Sequence, residues 1–314
     1  MKARVVKCIN QLKKVYGLQC EFKKNLKYMN SFKIDGEAVI FVQPKSLEHF
    51  IRCFHIFNEN NMPFYCIGNA TNLLVPPKFN GAVVRIADKF SSIKVVENTI
   101  VASAGALLNK VVVEACRRGF KGMEDGFGIP GTIGGAIFMN ASAYNFRISD
   151  YVTGVLAMVD GKIREFSKEE CEFGYRTSIF QKLINPIILE VNLTFNEKDE
   201  SSKLLKSTIK QLEKRKETQP LNALTAGSVF KNLEGLSVAK LIDELNLKGY
   251  SIGGARISPK HANFIENYNN ARFDDIVGLI KFVKQKVFEK HNLELEVEIQ
   301  VLGESNDFWR LSRS

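Results

Sequence analysis

Hydrophobic positions fall at helical spacing from Leu47 to Phe57, where Leu47, Phe50, Ile51, Phe54 and Phe57 share one face behind Ser46, a residue suited to cap a helix. That predicts a helix ending near Asn60-Asn61, followed by a strand over Phe64 to Ile67. The pattern changes with position along the chain. The first 30 residues read as a Lys-rich helical lead-in, and FKIDGEAVIFVQP from Phe32 alternates apolar and polar residues around Asp35-Gly36, as paired strands would. Further strands are expected at 81–86 and 100–103, then a helix over 107–118 closed by Gly119, the residue type best able to take a left-handed stop. VLAMV-DG-KIREF reads as a hairpin turning at Asp160-Gly161, and PIILEVNLTF as another strand. The polar run 196–203 interrupts the periodicity. Beyond it come helices over 203–217, with Leu and Ile as the core face, 237–248 and 274–290, the last capped by Asp274. A closing strand LELEVEIQVLG ends at Gly303 and leaves a loosely held tail. The organisation expected is α+β: a lead-in (1–30), a first domain over 31–196 in two lobes (31–80 and 81–196), a second domain over 204–303, and a tail (304–314).

With 314 residues, 45% of them hydrophobic and 25% charged, the chain has the material for more than one core. No stretch of about 20 apolar residues is present and the N-terminus lacks a signal-peptide centre, so a cytoplasmic location without membrane insertion is expected. Cys8, Cys20, Cys53, Cys66, Cys116 and Cys171 are scattered without C-x-x-C spacing, which points to reduced thiols and to no metal site. The net charge of +10 raises nucleic acid as a partner, yet the cations are dispersed, and the densest run, 203–216, reads as the solvated face of a helix. An anionic small substrate suits the same charge.

Chemistry concentrates in two small-residue loops. Gly68, Asn69, Ala70, Thr71 and Asn72 follow a strand directly, where backbone N–H groups can face a phosphate, although one such loop alone is more often a tight turn. The segment Gly122 to Asn145 is more specific. It holds Gly128, Ile129, Pro130, Gly131, Thr132, Gly134, Gly135, Ala136 and Asn140, and so much glycine lets backbone approach a ligand closely while Pro130 stiffens the loop. A diphosphate cradle is the functional reading, and a ligand-free crossover is the alternative.

These two loops, GNATN and GIPGTIGGA with its following MNA, resemble the FAD-binding domain of UDP-N-acetylenolpyruvoylglucosamine reductases, a branch of the vanillyl-alcohol-oxidase (PCMH) type of flavin fold. Further matches follow in the family's order: Tyr175 to Phe180 (YRTSIF), Ala226 to Asn232 (AGSVFKN), Gly253-Gly254-Ala255 with Ser258 to Ile265 (SPKHANFI), and Glu298 in the closing strand. The chain departs from the family at Ala70, Ser142 and Asn145, where glycine is usual, and at Leu233, where proline is usual. Asn145 is the mildest of these, because Asn tolerates positive φ. Only 51 residues separate Arg176 from Ser228, which fits the branch lacking an inserted tyrosine-bearing loop.

The resemblance implies an FAD-binding domain in two α+β lobes plus an α+β substrate-binding domain. It implies non-covalent FAD, NADPH as co-substrate, UDP-N-acetylglucosamine enolpyruvate as substrate, and no obligate protein partner. Arg176 and Glu298 would stabilise developing charge and Ser228 would donate the proton. Lys231 is a candidate cation beside Ser228, and Tyr175, Asn232 and His261 are candidates for holding substrate or nicotinamide. An FAD-dependent oxidase on the same fold is the other reading, disfavoured because GNATN holds no His for covalent flavin attachment.

Overall fold

The computed structural model describes residues 2–86, 90–304 and 306–309. Helix α1 (Lys2–Leu12) is followed by strands β1 (Gln19–Asn25) and β2 (Glu37–Gln43), helix α2 (Leu47–Glu59), and strands β3 (Phe64–Ile67), β4 (Leu73–Leu74) and β5 (Lys78–Arg85). Next come β6 (Ile93–Val96), β7 (Thr99–Ser103), α3 (Leu108–Arg117), α4 (Ile133–Phe138), β8 (Ser142–Ala143), β9 (Phe146–Arg147), β10 (Val152–Val159), β11 (Lys162–Ser167) and β12 (Ile187–Thr194). The remainder holds α5 (Ser201–Thr218), α6 (Val238–Glu244), β13 (Ser251–Ile252), β14 (Ala255–Ile257), β15 (Ile265–Asn267), α7 (Phe273–His291) and β16 (Gln300–Val301). The mixture of helix and strand is the α+β class expected. Among the described residues no helix is long and apolar enough to cross a membrane.

The chain forms two compact units. The first contains residues 1–22, 40–69 and 81–214, and the second 23–39, 70–80 and 215–314. They differ from the contiguous blocks that the polar run at 196–203 suggests, since α5 continues to Lys214 within the first unit and two early segments belong to the second.

In the first unit a five-stranded antiparallel sheet has the order β11-β10-β12-β7-β6. Its hairpin turns at Asp160 (φ 49°) and Gly161 (φ 76°), the double left-handed turn that suits strand twist. Helix α2 begins where Ser46 Oγ accepts the His49 N–H, and it buries Phe50, Cys53, Phe54, Ile56 and Phe57 on one face. Phe57 packs against Phe64 of β3 with centroids 5.4 Å apart. Strands β3 and β5 run parallel, with Phe64 opposite Ala82. Helix α3 stops at Gly119, whose φ is 73°.

The second unit is built on α7, which buries Ile276, Leu279, Ile280, Val283 and Val287 against a core that also contains Phe32, Ile34, Leu74, Phe230, Val238 and Trp309. A three-stranded sheet, β13-β14-β15, belongs to this unit, and β16 pairs in parallel with β4.

Several expectations are corrected. The lead-in is not helical throughout: α1 stops at Leu12, and β1, not residues 32–36, is the sheet neighbour of β2. Residues 32–36 form a loop because the buried Asn30 side chain staples it, donating to Leu26 O and Ile34 O and accepting the Ile34 N–H. Helix α7 is capped at Arg272, not Asp274; the Asp275 carboxylate accepts the Arg272 and Gly254 N–H groups. The closing strand is short: among the described residues it pairs over Gln300–Val301 and at a bridge between Phe230 and Val297. The tail is docked through Trp309, which is 6% exposed and donates its indole N–H to Ile299 O, while residues 310–314 lie outside the described residues. Helix α5 buries Leu204, Thr208, Gln211 and Arg215, so its inner stripe is largely polar, whereas Ile209 is 58% exposed.

Candidate active site

In the first unit the two small-residue loops meet. A Cβ on Gly68 would lie 2.3 Å from Thr132 Oγ1, so glycine at 68 is what allows the loops to touch. Thr132 is buried, and its hydroxyl oxygen caps α4 by accepting the Gly135 N–H at 3.3 Å. Ile133 and Gly134 donate their N–H groups to Ala106 O and Ala104 O, and a Cβ on Gly134 would strike Ala104. Gly134 thus serves loop packing, whereas Gly128 (φ 87°) and Gly131 (φ 121°) hold left-handed corners around Ile129 and the exposed Pro130. Ala136 is buried inside α4.

The backbone N–H groups of Asn69, Gly131 and Thr132 meet no acceptor among the described residues. Those donors, on stiff loops without bulky side chains, suit an anionic diphosphate, and the loops therefore fit FAD. Asn140 is engaged by the protein itself. Its buried amide donates to Gly174 O at 2.8 Å and accepts the Ser149 N–H, so it positions a neighbouring turn.

That turn carries Arg176. Gly174 and Thr177 exchange backbone hydrogen bonds of 3.1 and 3.2 Å, leaving Tyr175 and Arg176 at the corner. Arg176 has φ 57°, a left-handed conformation that costs a non-glycine residue about 1–3 kcal/mol and persists where surrounding contacts impose it. The contacts here are Gln181 Nε2, which donates to Arg176 O (2.9 Å) and Phe138 O (2.8 Å), and Ser178 Oγ, which donates to the same Phe138 carbonyl. The guanidinium donates through Nη1 to Ser142 Oγ at 2.6 Å, and its carbon lies 5.4 Å from the centroid of the half-exposed Tyr175 ring. Ser142 lies on the hairpin β8-β9, where the left-handed position falls on Tyr144 (φ 54°), not on Asn145; the Asn145 amide instead donates to Asp125.

In the second unit Ser228 and Glu298 lie on adjoining extended segments. Ser228 bridges Phe264, Val229 N–H donates to Asn263 O, and Glu298 N–H donates to Val229 O at 2.8 Å. Glu298 O also accepts from the Asn72 amide, so the end of GNATN is tied to the Glu298 segment. Ala70 holds φ 48°, and this departure from glycine is carried as backbone strain. Lys231 is salt-bridged to Glu296 at 2.5 Å, which assigns its charge to that carboxylate. Asn232 Oδ1 accepts the Val238 N–H at the start of α6. His261 Nδ1 accepts the Asn263 N–H, its ring stands edge-on to Phe264, and burial pushes its pKa below the usual range, favouring neutral imidazole.

Sequence reading placed Asn263 in the SPKHANFI motif but missed its role. Its buried amide clasps Phe230, accepting the N–H and donating to the carbonyl, both at 2.9 Å. Asn263→Ala should lower unfolding stability by about 2–4 kcal/mol, because two buried backbone groups lose their partners. Denaturant unfolding of the FAD-loaded protein measures this; a loss under about 0.5 kcal/mol would show that the clasp is dispensable.

Among the described residues no group of His, Cys, Asp and Glu could hold a metal ion. The cysteines are free thiols, and burial pushes Cys53, Cys66, Cys116 and Cys171 up to about 12, which suppresses thiolate chemistry.

Comparison with known proteins accords with both units' chemistry. The FAD binding domain family matches residues 38–167, and the C-terminal domain of UDP-N-acetylenolpyruvoylglucosamine reductase matches 219–302. Curated reductases of that name are similar across most of their length. That of Alkaliphilus oremlandii is 41% identical over 89% of this chain and 92% of its own, and that of Clostridium novyi 39% over 91% and 94%. The crystal structure of the enzyme of that name from Thermus caldophilus superposes with a TM-score of 0.76 at 32% identity, covering 90% of this chain and 98% of that one. With a flavin-domain match in the first half, a reductase-specific match in the second and full-length relatives at about 40% identity, the chain belongs to the UDP-N-acetylenolpyruvoylglucosamine reductase family.

Proposed function

We propose that this protein reduces UDP-N-acetylglucosamine enolpyruvate to UDP-N-acetylmuramate at the expense of NADPH, a step in peptidoglycan precursor synthesis carried out in the cytoplasm. The observation that carries this reading is the match of the C-terminal domain over 219–302, the stretch that contains Ser228 and Glu298 on adjoining segments. The same match disfavours an oxidase. Bound FAD, held non-covalently by the loops at 68–72 and 128–136, supplies the hydride chemistry.

The residues must solve a problem of charge. An enol ether is a poor hydride acceptor unless its carboxylate takes up the developing negative charge, and preorganised donors are needed there. Arg176 supplies a planar fork for that carboxylate. Glu298 assists as a neutral acid or as an orienting group, since an ionised carboxylate would oppose the charge. Ser228 then delivers its hydroxyl proton to the carbon bearing the ether oxygen. Lys231, paired with Glu296, is assigned to supporting the charge left on Ser228. Tyr175, Asn232 and His261 are assigned to holding substrate or nicotinamide.

The purified protein should be yellow, should release all its flavin on acid precipitation, and should oxidise NADPH rapidly only when the enolpyruvyl nucleotide is present. Flavin left in the pellet would refute non-covalent binding. NADPH oxidation driven by oxygen and indifferent to the nucleotide would favour the oxidase.

A further inference from the structure

We propose that Ser142 is a positioning residue for Arg176, an inference that rests on the reading of Arg176 as the charge stabiliser. The Ser142 hydroxyl oxygen accepts from Arg176 Nη1 at 2.6 Å, a short, charge-assisted contact in a partly buried setting. Ser142 is itself held firmly. It pairs with Arg147 across the β8-β9 hairpin, whose Phe146 is buried, and Ile148 N–H returns to Ala141 O at 3.0 Å.

The segment 138–142 thereby grips the arginine turn at three places. Phe138 O shares Gln181 with the Arg176 carbonyl, the Asn140 amide takes Gly174 O, and Ser142 takes the guanidinium. The first two hold the left-handed backbone; the third sets the plane of the side chain and with it the direction of its other N–H groups. An arginine is otherwise rich in rotamers, and a fork aimed before substrate arrives need not be ordered during the reaction.

The choice of a hydroxyl is informative. A neutral acceptor orients the guanidinium without cancelling the positive charge that the developing enolate requires, whereas a carboxylate at 142 would orient and neutralise together. Ser142 therefore sharpens transition-state binding and contributes little to ground-state affinity.

Stopped-flow kinetics of the FAD-loaded enzyme test this. Ser142→Ala should slow flavin reoxidation by the enolpyruvyl nucleotide about tenfold, with substrate KM and NADPH-driven flavin reduction changed by less than about twofold. Ser142→Thr, which keeps the hydroxyl, should recover most of the rate, and Ser142→Asp should be slower than Ser142→Ala. In an Arg176→Lys background, Ser142→Ala should add less than about twofold, because the partner of the bond is already gone. Ser142→Gly replaces the alanine variant if that protein loses its FAD. Wild-type reoxidation in the variants lacking the hydroxyl, or an undiminished effect in the Arg176→Lys background, overturns the proposal. If Arg176→Lys turns over normally, the reading of Arg176 itself has failed; if it is crippled while Ser142→Ala is not, only the role of Ser142 has.

Discussion

Arg176→Lys is expected to turn over about 10²- to 10³-fold more slowly than the wild type while keeping its flavin, the scale on which loss of an oriented charge stabiliser is felt. Lysine keeps one positive charge but presents a point, not a fork, and a flexible stem cannot place it where two N–H groups stood side by side. The backbone of the turn should survive. Its left-handed corner is imposed by Gln181 and by the Gly174–Thr177 hydrogen bonds, none of which involves the Arg176 side chain. Substrate affinity should fall by much less than turnover, since the fork matters most when charge develops. Steady-state kinetics alongside flavin content measure both, and an unchanged kcat would remove Arg176 from the mechanism.

Ser228→Ala should separate the two half-reactions. NADPH should bleach the flavin at a near-normal rate, whereas the enolpyruvyl nucleotide should reoxidise it about 10²- to 10⁴-fold more slowly, the range for a positioned general acid. The confinement of the defect follows from how the segment is held. Val229 and Phe230 are fixed by Asn263 and by Glu298 N–H, so deleting one hydroxyl leaves these bonds intact. Gly227, with φ 79° and open space where a Cβ would stand, sets the backbone into this segment independently of the serine side chain. Ser228→Cys should regain part of the rate by restoring an acidic proton. Loss of NADPH-driven bleaching in the alanine variant, or equal inactivity of the cysteine and alanine variants with FAD bound in both, would leave the serine without its role as proton donor.

What could be read from the sequence was what short stretches of chain decide. Ser46 ahead of an apolar stripe, Asp160-Gly161 between alternating strands and Gly119 after α3 each act within one turn of their own residues, and the structure has them as expected. The misreadings have other origins. β1 became a strand because β2 lies beside it and Trp309 is docked by a carbonyl ten residues earlier, whereas residues 32–36 became a loop through a side chain, Asn30, that no turn signature announces. In α5, apolar residues at helical spacing suggested a greasy inner face, yet Thr208, Gln211 and Arg215 are buried beside Leu204, a choice made by the surroundings of the helix. The site divides in the same way. Ordered motifs singled out Arg176, Ser228 and Glu298, but the groups that hold them could not be read. Ser142 meets Arg176 across 34 residues and Asn263 meets Phe230 across 33, and although Asn263 lies within SPKHANFI and Ser142 departs from the family's glycine, nothing in the sequence pairs either with its partner.

Because the second unit draws its core from both ends of the chain, the protein has an awkward schedule of synthesis. Leu73 and Leu74 leave the ribosome long before their partners Gln300 and Val301 exist, and Asn72 awaits a residue 226 positions later. At about 5–20 residues per second the wait is roughly 10–45 s. During it Phe32, Ile34 and Leu74, all essentially inaccessible in the finished fold, have no core to enter, because α7 and residues 295–301 have not been made. The nascent chain therefore carries these apolar side chains without their native core until translation is nearly complete. For the same reason neither unit can be released intact by a single cut or transferred to another gene as one contiguous cassette.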